Sequence, residues 1–111
     1  MNLILLNHDD FIAEDRVRLS GRRLEHISTV HRAEPDTQLR VGLLNGKTGH
    51  GLITQIDPDF IELTVVLSQP PPAKLPVTLL LALPRPKMLK RVLQSVTSLG
   101  VKQIYLINSF R

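Results

Sequence analysis

Residues 77–108, VTLLLALPRPKMLKRVLQSVTSLGVKQIYLIN, decide the fold class. VTLLLAL is a continuous apolar run, the pattern of a strand whose sheet is covered on both faces. Pro86 suits the first turn of a helix, where a missing N–H costs nothing. Met88, Leu89, Val92, Leu93, Val96 and Leu99 then fill one arc at helical spacing. Gly100 stands where a left-handed residue stops a helix, and QIYLIN is a second apolar strand. Strand, helix, strand is a βαβ unit, so Thr78–Leu83 and Gln103–Asn108 are expected to be parallel neighbours. One such unit leaves a sheet face bare and both edges open. The expectation is therefore the opening of a larger α/β domain that is incomplete in this chain.

Upstream, QPPPAKLP (69–76) marks a boundary, because consecutive prolines resist both helix and ladder. Three parts are expected: a β domain over 1–68, a Pro-rich linker over 69–76, and the α/β opening over 77–111. In the first part LILL, VRL, LRVGLL, GLITQI and FIELTVVL recur between turn signals such as Asp57-Pro58-Asp59. That pattern predicts a small antiparallel β barrel or sandwich. One helix interrupts it from about Ser20 to Arg32, with Leu24, Ile27, Val30 and His31 on one side.

GLLNGKTGHG (42–51) resembles a phosphate-binding loop only in part. Gly42 leaves three residues before Gly46-Lys47-Thr48 where the motif needs four. The following Gly49, Gly51 and LITQIDPD cannot open the helix on which that motif depends. Asn45-Gly46 between two strand-like runs predicts a two-residue hairpin instead, with both turn residues left-handed.

Composition excludes more than it specifies. The 111 residues contain no cysteine, hence no disulfide frame or Cys-based zinc site. MNLILL is too short for a signal-peptide core, and VTLLLAL is far below the ~20 residues of a membrane span. A cytoplasmic protein with no membrane contact is expected. His26 and His31 lie about 140° apart on the helix, so they cannot share a metal from one face, and none is expected. No activated nucleophile is visible. Asp9-Asp10 and Asp57-Pro58-Asp59 read as turn chemistry.

Charge is distributed unevenly. Residues 1–62 hold all ten acids against seven basic residues, whereas 63–111 hold seven Lys or Arg and no acid. Such asymmetry points either to a polyanion partner or to acids elsewhere in a longer protein. Arg85, Lys87, Lys90 and Arg91 crowd the start of the second helix, where the dipole disfavours cations by a few tenths of a kcal/mol each. A phosphate group there would combine N–H donors with flexible cations. On the first helix Arg22 and Arg32 flank Glu25, with Arg16, Arg18 and Arg23 nearby. Pairing with Glu25, worth about 0.3–0.5 kcal/mol per exposed pair, and RNA contact both account for that face. Aromatic residues form no interleaved RNA-reading pattern, so backbone charge and shape would dominate binding.

Three segments carry a resemblance: EHISTVHR (25–32), PDTQLRVGLLNG (35–46) and LALPRPKMLKRVLQSVTSLGVKQIYLINSFR (81–111). Together they resemble the RsmE type of small-subunit ribosomal RNA uridine-N3 methyltransferases. Matching positions are His26, Val30 and Arg32, the turn Pro35-Asp36, Gln94, Thr97, Leu99, Gly100 and Val101, then Ser109 and Arg111. The chain departs from the family pattern at Glu25, His31, Ser95, Ser98 and Phe110.

The resemblance implies a PUA-like barrel joined to a SPOUT (α/β knot) domain, with only the N-terminal half given. It implies a homodimer that transfers methyl from S-adenosylmethionine to a uridine N3 of 16S rRNA in the small ribosomal subunit. It places the cofactor knot beyond residue 111, so no cofactor-binding residue falls in this stretch. Arg111, at the end of a parallel strand, is the candidate closest to the reactive site. The RNA-binding candidates are Arg16, Arg18, Arg22, Arg23, Arg32, Arg85, Lys87, Lys90 and Arg91. A non-catalytic RNA-binding module is the alternative, and a structural domain with a merely solvated basic face is a third reading.

Overall fold

A computed structural model describes residues 3–30 and 33–109. The chain divides into two compact units, Met1–Pro71 and Pro72–Arg111.

The first unit is a six-stranded, mostly antiparallel sheet with one helix. Its strands are β1 (Ile4–Leu6), β2 (Phe11–Ala13), β3 (Arg16–Leu19), β4 (Gln38–Leu43), β5 (Thr48–Ile56) and β6 (Ile61–Gln69), in the order β1-β4-β5-β6-β3-β2. Only β1 and β4 pair in parallel, Ile4 opposite Val41. The long excursion through β2, β3 and the helix supplies the crossover that a parallel pair requires.

Period-two alternation decides which face is buried. Val17 and Leu19 of β3, Val41 of β4, Ile53 of β5 and Ile61 and Leu63 of β6 are all 0% exposed. Helix α1 (Gly21–Val30) closes this core by inserting Ile27, also fully buried, with Leu24 packed at its margin. Burying each such side chain contributes roughly 1.5–3 kcal/mol. Val30, expected on the core side, is 53% exposed, because the helix ends there and only its middle turn meets the sheet. His31 and Arg32 lie outside the described residues.

Two local features differ from expectation. Between β1 and β3 the turn expected at Asp9-Asp10 forms as a 3-10 turn, His8–Asp10, but it leads into an unexpected strand, β2, whose three residues are too few to leave a periodic signal. The β4–β5 connection is also a three-residue loop, Leu44 to Gly46, rather than the two-residue one expected, with Leu43 N–H donating to Lys47 O at 3.0 Å across it. Gly46 N–H donates to Leu43 O at 2.9 Å, and only Asn45, at φ 58°, is left-handed. Asn tolerates that region through its short polar side chain. Gly46 is needed for proximity rather than dihedral freedom, since a Cβ there would lie 3.1 Å from the Leu43 side chain.

The glycines after the turn have a packing role. A Cβ on Gly49 would lie 1.8 Å from the Val66 carbonyl oxygen, and one on Gly51 would meet Leu63 at 3.0 Å and Val41 at 3.1 Å. Here β5 crosses β6 with a register shift between Thr48 and Gly49, and only a side-chain-free backbone approaches so closely. The loop-like TGHG (48–51) is thus the start of strand β5, with no helix after it.

The second unit contains β7 (Thr78–Ala82), α2 (Pro86–Ser98) and β8 (Gln103–Ile107). The two strands are parallel, with Leu79 opposite Ile104 and Leu81 opposite Leu106. Pro86 occupies the first helical position. Gly100, at φ 88°, ends α2. Its N–H donates to Thr97 O at 3.0 Å while Val101 N–H reaches Val96 O at 3.1 Å. This paired closure satisfies two carbonyls left over at the helix end, and Val101 is buried beneath it. Leu75 N–H donates to Gly100 O at 3.1 Å, fastening the Pro-rich segment to the same corner. The first unit is therefore a mostly antiparallel β sheet closed by one helix, and the second is the expected parallel strand–helix–strand unit.

Candidate nucleic-acid interface

Helix α1 lies beside the edge strand β1, and Leu3, Ile4, Leu5, Arg22, Arg23 and His26 line a cleft between them. Arg23 is the structural member of this group. Its Nη1 donates to Asp10 Oδ2 at 2.5 Å and to Leu5 O at 3.1 Å, and its Nη2 donates to Asp10 Oδ1 at 2.6 Å. Asn7 N–H adds a bond to Asp10 Oδ2 at 2.7 Å. Burial alone would raise the Asp10 carboxyl, but the Arg23 hydrogen bonds, the Asn7 N–H and the guanidinium charge together hold it below its ordinary value. Bonding to Asp10 likewise raises the Arg23 guanidinium against the opposing effect of burial. Arg22 is exposed and makes no ion pair among the described residues. Glu25 makes none either, so pairing with Arg22 does not explain that face.

On β3, Arg16 and Arg18 project from the face opposite the core. Arg18 donates to Glu62 Oε1 through Nε at 2.9 Å and Nη2 at 2.6 Å, and its guanidinium lies 4.3 Å from the Phe60 ring centre. The pair keeps nearly buried Glu62 satisfied while leaving Arg18 half exposed. Arg16 is exposed with no ion pair among the described residues.

In the second unit Arg85 caps α2, and Lys87, Lys90 and Arg91 follow within its first two turns, all exposed. The first turn has no acidic residue and the cap makes no side-chain hydrogen bond. The remaining candidates, Arg32 and Arg111, lie outside the described residues.

The candidates thus fall into kinds the sequence did not separate. Arg23 and Arg18 have carboxylate partners that neutralise them, whereas Arg16, Arg22, Arg85, Lys87, Lys90 and Arg91 carry uncompensated charge among the described residues. Asp10 was legible beside Asp9 as turn chemistry, but not as the partner of Arg23. Among the described residues no group of three His, Asp or Glu could hold a metal ion. Among the described residues no α2 side chain is buried.

Residues 71–111 match the model of the RNA methyltransferase domain family. Over 112 residues the chain is 29% identical to ribosomal RNA small subunit methyltransferase E of Treponema pallidum, covering 98% of this chain and 42% of that protein. Among solved structures, the Neisseria gonorrhoeae ribosomal RNA small subunit methyltransferase E bound to S-adenosylmethionine superposes with a TM-score of 0.73 at 19% identity. That superposition covers all of this chain and 47% of the other. A Legionella pneumophila protein in complex with the same cofactor gives a TM-score of 0.76 at 18% identity, covering 98% and 46%. The chain therefore spans a little under half the length of the proteins it matches. Domain match, relative and shared fold agree in likening the chain to the N-terminal part of ribosomal RNA small subunit methyltransferase E proteins.

Proposed function

We propose that this chain is the RNA-gripping and scaffolding part of an S-adenosylmethionine-dependent methyltransferase acting on N3 of a uridine in small-subunit 16S rRNA. Residues 1–68 form its PUA-like RNA-binding domain, 69–76 its linker and 77–111 the start of its SPOUT domain. The protein works in the cytoplasm as a homodimer. The observation that carries the reading is the run of cations on the first turns of α2 with no ion pair among the described residues, within the very segment that matches the RNA methyltransferase domain. Cations at a helix N-terminus oppose the dipole, and bound phosphate turns that cost into attraction. Arg16 and Arg22, and Arg32 by sequence, extend the contacts on the β unit, while Arg111 approaches the reacting base.

S-adenosylmethionine supplies an electrophilic methyl group, and its pocket lies outside the residues described. Incubating the protein that contains this chain with 16S rRNA and methyl-labelled cofactor, then digesting the RNA to nucleosides, tests the activity. Labelled N3-methyluridine is expected. Label in any other nucleoside overturns the base assignment, and salt-sensitive RNA binding without label favours a non-catalytic binding module. The 111-residue chain alone is expected to bind RNA and transfer no methyl.

A further inference from the structure

The outer face of the six-stranded sheet carries a second basic surface, and its register arranges it. Arg40 of β4 stands opposite His50 of β5, which stands opposite Val66 of β6. In the next row Gln38, Leu52, Thr64 and Arg16 are opposed in turn across β4, β5, β6 and β3. Their chain neighbours Leu39, Val41, Ile53, Leu63, Val65 and Val17 are buried, so both rows face away from the core. Arg40, His50 and Arg16 are exposed, as are Val66 (66%) and Leu52 (41%).

Charge decides what fits. The carboxylate on the adjoining row, Glu62, is 5% exposed and bonded to Arg18, so it offers nothing to an incoming ligand. Three strand spacings set Arg40 and Arg16 on strands about 14 Å apart, with the apolar side chains of Leu52 and Val66 between them. Cations at both margins and a narrow apolar floor without aromatic anchors suit a sugar–phosphate strand better than a protein, whose interface would need an anchored, charge-poor centre.

We propose that this strip binds the backbone of a single-stranded RNA segment, with Arg40 and His50 contacting phosphate and Leu52 and Val66 supporting the sugars. The proposal rests on the reading of the chain as RNA-binding and adds a surface to it. The test uses the full chain with a labelled single-stranded 16S rRNA fragment over a salt series. Arg40→Ala should lower the log–log salt slope by about 0.7, the value of one phosphate contact on a single strand. Val66→Glu should weaken binding about tenfold or more, because it sets like charge beside the phosphates. Both variants should keep wild-type thermal unfolding. If both also keep wild-type slope and affinity while Arg22→Ala with Lys87→Ala lowers them, the strip is not a contact surface and this inference falls alone. If wild type shows no salt-dependent binding, the RNA-binding reading falls beneath it. Weakened binding to intact small subunits with unchanged binding to naked RNA would assign the strip to a protein partner and overturn the inference.

Discussion

Arg23 and Asp10 join α1 to the turn that follows β1 through two bonds of 2.5 and 2.6 Å, with the Asp10 side chain 10% exposed and that of Arg23 35%. Arg23 also donates to Leu5 O, so one guanidinium ties together helix, turn and edge strand. Exposed ion pairs contribute little, but breaking one that is largely out of water leaves a charge without its solvent or its partner. Asp10→Asn is therefore expected to destabilise the β unit by about 1–3 kcal/mol, measured as a lowered urea midpoint with an unchanged slope. An unchanged midpoint would show the latch to be ornamental.

The same pair sets a pH dependence. Asp10 titrates lower in the folded chain than in the unfolded one. Its contribution is complete above the unfolded carboxylate value of about 3.9 and fades as pH falls through the lower folded value. Wild type and Asp10→Asn should thus differ fully at pH 7 and converge below about pH 4. Urea melts of both proteins at neutral and acid pH check this, and a gap persisting undiminished at low pH would contradict it.

Gly49 offers the sharpest packing test. An added Cβ would fall 1.8 Å from a backbone oxygen, so β5 and β6 must separate or the register must slip. Gly49→Ala should cost about 2–4 kcal/mol, read as a fall in melting temperature. Gly21→Ala, in open space with φ 59°, bears backbone strain alone and should cost only about 1–2 kcal/mol. Equal losses at the two positions would refute the close-approach account.

Legibility in the sequence followed the length and regularity of each element. The parallel pairing of β7 and β8 could be read because unbroken apolar runs, a proline start and a glycine stop agree across 31 residues, Thr78 to Asn108. The Asn45-Gly46 turn was readable as a turn, but its geometry was not, because Asn45 alone and not Gly46 takes the left-handed conformation. Strand β2 was invisible, because three residues leave no periodic signal; the turn at Asp9-Asp10 was readable, but the Arg23 partner of Asp10, 13 positions on, was not. The basic residues were all visible, yet which of them have carboxylate partners depends on contacts such as Arg18 to Glu62, 44 positions apart. Spacing along one helix cannot disclose such a partner.

Lys87 separates recognition from mere solvation by the sign of two effects. It stands second in α2, after Pro86, where the dipole favours a carboxylate over an ammonium. Lys87→Glu should therefore stabilise the helix by about 0.5–1 kcal/mol, while removing one phosphate contact and setting beside Arg85 and Lys90 a carboxylate that repels phosphate. Thermal unfolding should rise slightly as affinity for a 16S rRNA fragment falls and its salt slope drops by about 0.7–0.9. A side chain that only solubilises the protein would show the first change without the second. Stability rising with unaltered RNA affinity would thus remove α2 from the interface, whereas opposite movements are what a cation retained for phosphate, against the preference of its own helix, requires.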